Sequence, residues 1–147
     1  MVDRRRSTLA VAALLIAAGC GLRTLTLIIH TPASCPVPAG AEPPACPLAD
    51  IRSIDTRLVR QDGTAQQRDC QEVTSPLCTM EDLAGFVFLN RSEANDGIEL
   101  IIEGRSEAAC GGRLVLACDS FGDSVIDLTD TDEIPVFCSC PRSLSGP

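Results

Sequence analysis

The chain has 147 residues and a formal net charge of −8, with four Phe and neither Trp nor Tyr. That length suits one domain with its own core, and the acidic balance speaks against a nucleic-acid or anionic-lipid partner recognised through charge. Sugar clefts usually offer Trp or Tyr platforms, so a two-carboxylate glycosidase is disfavoured as well.

The amino-terminal end reads as an export segment. Arg4, Arg5 and Arg6 supply a positive start, Leu9 to Ala18 is an uncharged apolar run, and small residues lead into Cys20. The run is too short to span a bilayer as a helix, and this order is the layout of a signal peptide. Arg5-Arg6-Ser7-Thr8-Leu9 matches a twin-arginine signal only in part. Ala17-Ala18-Gly19-Cys20 resembles the lipobox of bacterial lipoproteins, with Ala17 where that family prefers Leu. The resemblance implies that residues 1–19 are a signal peptide, that cleavage follows Gly19, and that Cys20 carries a diacylglyceryl group and an acylated amino terminus. Two or three acyl chains suffice for stable anchoring. Loss of Asp3 and three arginines then brings the domain, residues 20–147, to a charge of about −10. The resemblance also implies a bacterial cell-envelope location. Gly21 follows the lipidated cysteine, where Asp often signals inner-membrane retention, so the outer membrane is favoured over the inner.

Beyond Cys20, strands alternate with turn signals. Leu25, Leu27 and Ile29 share one face of a strand over Leu22 to His30. Residues 32–47 form a Pro-rich loop that neither a helix nor a central strand tolerates. Ile54, Thr56 and Leu58 alternate until the Asp62-Gly63 turn, and Ser75-Pro76 breaks the chain again. Met80 to Gly85 reads as a helical turn capped by Thr79. Phe86-Val87-Phe88-Leu89 resembles a covered strand, and Asn95-Asp96-Gly97 is a hairpin signal before Ile98, Leu100 and Ile102. Gly111-Gly112 marks a turn, Leu114 to Cys118 another covered strand, and Val125 to Leu128 and Pro135 to Cys140 close the set. About seven short strands with almost no helical period predict an all-β fold, a small disulfide-stapled β-sandwich of immunoglobulin-like or transthyretin-like architecture.

Nine cysteines are an odd number for an exported chain. Lipidation of Cys20 leaves Cys35, Cys46, Cys70, Cys78, Cys110, Cys118, Cys138 and Cys140, enough for four disulfides in an oxidising compartment. Connectivity cannot be read from sequence, but local bridges are the simplest expectation: Cys35–Cys46, Cys70–Cys78, and Cys110 and Cys118 with Cys138 and Cys140. Cys138 and Cys140 stand two apart, about 6.5 to 7 Å on a strand, at or beyond the upper limit of a relaxed disulfide, so each is expected to bridge elsewhere. Neither a Cys-x-x-Cys redox motif nor the paired spacing of a zinc site is present.

Other chemistry is sparse. His30 is the only histidine, and no Gly-x-Ser-x-Gly elbow accompanies it, so a Ser-His-Asp hydrolase has little support. Hard oxygen ligands suit Ca²⁺, which makes Asp119, Asp123, Asp127, Asp130 and Asp132 the candidates for a metal, although they miss the EF-hand register. Solvated loop carboxylates are the simpler account. Asn90-Arg91-Ser92 matches a glycosylation acceptor and reads as a strand end. No cofactor is expected. The function expected is a lipid-anchored structural, adhesive or ligand-binding module without catalysis, meeting an envelope protein or surface ligand. A small exported hydrolase, or an exported inhibitor presenting the 32–47 loop, are the alternatives.

Overall fold

The computed structural model describes residues 10–16, 23–37, 39–87, 99–120 and 133–142. Cys20, Asn90 to Ser92, the Asn95-Asp96-Gly97 turn, Val125 to Leu128, and Asp123, Asp127, Asp130 and Asp132 lie outside the described residues.

The strands are β1 (Ala10–Ile16), β2 (Arg23–His30), β3 (Ser53–Val59), β4 (Ala65–Glu72), β5 (Glu99–Arg105), β6 (Leu114–Asp119) and β7 (Glu133–Cys138). They join one sheet in the order β1-β2-β7-β6-β5-β3-β4. Neighbours run antiparallel except β2 and β7, which are parallel. The protein is thus mostly sheet: six strands from Arg23 onward form a mixed sheet, β1 adds to one edge, and among the described residues helix is limited to two short 3-10 segments, Met80–Phe86 and Ala108–Cys110. A sandwich needs two stacked sheets. Among the described residues there is one.

Period-two burial explains why these segments are strands. Leu100, Ile102 and Gly104 point inward from β5, and Ile134, Val136 and Cys138 from β7, with more exposed residues between them. Leu27 and Ile29 of β2 continue that face, as do Ile54 and Leu58 of β3. Among the described residues its cover comes not from a second sheet but from the connections before β3 and after β4. Leu48 and Ile51 come from the first, Val73, Leu77, Leu83 and Val87 from the second, and a bridge pairs Leu48 with Leu77. Each such side chain stabilises the fold by about 1.5–3 kcal/mol through burial. The fit is close: a Cβ on Gly104 would come within 2.5 Å of the Ile51 Cδ1.

Several local expectations meet the structure differently. The 80–86 turn forms with Thr79 as its N-cap, but the Asp82 carboxylate does the capping, accepting the Thr79 N–H at 3.0 Å and the Cys78 N–H at 3.2 Å. These bonds, that from Thr79 first, hold the Asp82 carboxyl below its usual range. Phe86 is not in a strand; it ends the 3-10 helix, and Val87 caps it with an N–H to the Ala84 carbonyl. β4 was not anticipated at all, because Ala-Gln-Gln-Arg-Asp-Cys-Gln-Glu lacks apolar alternation.

The disulfides correct the expected pairing in part: Cys118 does meet Cys138, but Cys110 meets neither Cys138 nor Cys140. They are Cys35–Cys140, Cys46–Cys78, Cys70–Cys110 and Cys118–Cys138, with Cα separations of 5.5, 4.0, 6.0 and 4.0 Å. Cys35–Cys46 and Cys70–Cys78 do not form. Register decides the outcome: Cys118 lies directly opposite Cys138 across the β6–β7 ladder. Parallel pairing of β2 with β7 carries Cys35 and Cys140 off the same ends of adjacent strands. Cys138 and Cys140 do take separate partners.

Candidate functional site: the polar face of the sheet

The face opposite the core gathers the charged residues of the central strands. Register sets Arg57 opposite Arg68, and Asp55 opposite both Cys70 and Glu103. Arg68, on β4, reaches diagonally to Asp55 and grips it with two bonds, Nε to Oδ1 at 3.0 Å and Nη2 to Oδ2 at 2.8 Å. Arg57 Nη2 lies 2.9 Å from Glu103 Oε1, and Arg105 donates to the other oxygen of Glu103. The side chain of Asp55 is only 2% exposed, so the Arg68 fork is its main compensation for leaving water. Three guanidinium groups and two carboxylates therefore form one ionic stripe across β4, β3 and β5.

Beside it, the Ala108–Cys110 segment closes over the start of β3. The buried Ser53 hydroxyl donates to the Glu107 carbonyl and accepts the Cys110 N–H at 2.9 Å. Ala109 and Cys110 both hold φ of 56°, the left-handed region that costs non-glycine residues energy. The Cys70–Cys110 bridge and the Ser53 bond hold that turn in place.

Toward the other edge the face becomes aromatic. His30 and Phe137 are register partners on β2 and β7, and their rings stack 4.7 Å apart at 13°. Phe137 is 42% exposed. The lone histidine thus packs on an aromatic ring, next to the segment that Cys35–Cys140 ties down.

Of the calcium candidates, Asp119 alone lies among the described residues. It ends β6 opposite Phe137 and Ile101, and it shares a hydrogen bond with Glu99. That bond, then burial, then the Asp119 charge raise the Glu99 carboxyl above its usual value. Among the described residues no three His, Cys, Asp or Glu side chains gather to hold a metal ion. All eight domain cysteines are disulfide-bonded, so none is a thiolate ready for nucleophilic or metal chemistry here. Among the described residues no helix is long and apolar enough to cross a membrane.

The Pro-rich loop is not closed on itself. Cys35 ties it to Cys140 and Cys46 to Cys78, and the described residues between these anchors are exposed. Sequence reasoning missed the ionic stripe and the Glu99–Asp119 pair. Charged residues at alternate strand positions, Asp55 with Arg57 and Glu103 with Arg105, were the available signal.

No protein-family model matches the chain, and neither curated proteins nor solved structures provide a match.

Proposed function

We propose that this is a bacterial lipoprotein whose exported, disulfide-stapled domain serves as a structural, adhesive or ligand-binding module without catalysis. The observation that carries this reading is the cysteine balance. Eight of nine cysteines lie in four bridges, and the ninth is Cys20, the residue on which the lipobox resemblance falls. A disulfide-dense domain belongs to an oxidising compartment, which fits the cell envelope. In this reading residues 1–19 are removed, residues 20–147 form one domain, and the acyl chains on Cys20 hold it at the membrane, the outer membrane in preference to the inner. The architecture within this reading is sandwich-like, with the long connections as the layer across the core. An immunoglobulin-like or transthyretin-like order draws no support from the parallel β2–β7 pair, since sandwiches of that kind pack two antiparallel sheets.

Mass spectrometry of the mature amino terminus tests the anchor. Cys20→Ser should abolish lipidation and release the protein from membranes, because the thiol is the attachment atom. A mature chain that is unmodified and begins elsewhere sinks the reading. A second reading, an exported inhibitor, is favoured by one observation: the exposed 35–46 loop is pinned at both ends to different parts of the fold. A preorganised loop loses little entropy on binding.

A further inference from the structure

The two edges of the sheet are built differently. β4 carries Arg68, Asp69 and Glu72, lies beside a register break at Leu58/Val59, and is bridged through Cys70 to Cys110. Charges and an irregular register are devices that stop an edge from accepting another strand. β2 has neither. From Thr24 to Ile29 it reads Thr-Leu-Thr-Leu-Ile-Ile, without charge or proline. Its antiparallel register to β1 runs unbroken over seven pairs, from Ala10↔Ile29 to Ile16↔Arg23. The strand that covers this edge is Ala10–Ile16, which falls inside the proposed signal peptide. Cleavage after Gly19 removes it. The outward N–H and C=O groups of β2 then lose their partners, beside a core face where Leu27 and Ile29 are 0% and 1% exposed with β1 in place.

We propose that in the mature protein this vacated edge is a strand-acceptor site, filled by an extended, uncharged aliphatic segment of a partner protein that adds antiparallel to β2. The inference rests on the cleavage reading. The chemistry of the occupant is read from the segment that fills the edge before cleavage: Ala-Val-Ala-Ala-Leu-Leu-Ile, seven residues without a charge. Main-chain bonds supply affinity in such strand addition, and side-chain alternation supplies specificity. A second copy of the domain suits the edge less well. The Met80–Phe86 helix packs beside the β1 position, so whatever fills the edge must also fit against that helix. Two domains of about −10 charge also repel one another.

The test uses mature protein purified after export, its amino terminus defined by mass spectrometry, and a synthetic peptide with the sequence of residues 10–16 between polar flanks. The peptide should bind saturably and slow hydrogen exchange at the amides of Thr24 to Ile29 by tenfold or more. A peptide with Ala13→Glu and Leu14→Glu should bind at least tenfold more weakly. The Cys20→Ala precursor, blocked in lipidation and so in cleavage, should not bind because its own leader fills the edge. Unchanged exchange in β2 on adding peptide to the cleaved protein overturns the proposal. So does a cleaved protein that is already dimeric with β2 protected, which assigns the edge to a second copy. A mature chain that still carries residues 10–16 refutes the cleavage reading itself, and mass spectrometry separates that failure from the others. If the cleaved chain loses its sheet signal in circular dichroism, recovery with the native peptide but not the glutamate peptide supports the site, and no recovery refutes it.

Discussion

At the residue scale, a buried hydroxyl and a half-buried carboxyl have measurable consequences. Thr56 is 3% exposed, and among the described residues its hydroxyl finds no hydrogen-bond partner. Its register partner on β5 is Ile102, so it stands on the apolar face of the sheet. An unsatisfied buried hydroxyl costs free energy that a methyl of the same shape does not. Thr56→Val should therefore raise stability by about 1 kcal/mol, seen as a higher urea midpoint at unchanged m-value. Glu99 gives the pH dependence. Its carboxyl is raised in the fold, so between the unfolded value and the folded one the native state binds more protons than the unfolded state. The stability it contributes is complete below the unfolded value and declines as pH rises through the folded one. Glu99→Gln should flatten that decline in urea titrations run at successive pH values. An identical slope in the variant would show that Glu99 is not its source. Asp82 acts in the opposite sense, since its lowered carboxyl loses its contribution as pH falls through the folded value.

At the element scale, strands with an alternating or continuous apolar signal were legible, and the others were not. β2, β5 and β6 bury residues in the order that their sequences announce. β3 adds a second buried face. Ser53 and Asp55 are buried opposite Ile54 and Leu58 because the 107–110 turn and the Arg68 side chain cover them. β4 has no pattern to read because its residues balance charges or face solvent at an edge, so pairing with β3 makes it a strand. Pro135 stands in an interior strand, beyond Cys138 and Phe137, the part of β7 that pairs with β6 among the described residues.

At the scale of the whole molecule, the disulfides close loops of very different length. Cys35–Cys140 spans 105 residues of sequence, whereas Cys118–Cys138 spans 20. Restriction of the unfolded chain is worth about 4.7 kcal/mol for a loop near 100 residues and about 3 kcal/mol for one near 20. The double substitution Cys35→Ser/Cys140→Ser should lower the urea midpoint more than Cys70→Ser/Cys110→Ser, whose separation is 40. The reverse order would mean that local tethering of the left-handed Ala109–Cys110 turn outweighs chain entropy.

Sequence alone determined what depends on composition and short-range order. It indicated a strand-rich chain with little helix, an irregular Pro-rich connection, and eight cysteines left to pair if Cys20 is the lipidated residue proposed above. It also indicated that Cys138 and Cys140 would seek separate partners, since spacing along a strand is a local quantity. Tertiary structure decided which strands are neighbours, that β2 and β7 run parallel in one mixed sheet, and hence which thiols meet. It also assembled the ionic stripe and the Glu99–Asp119 pair from residues far apart in the chain. Periodicity tells a residue which way it faces but not what it faces, because cross-strand partners are set by register between segments distant in sequence.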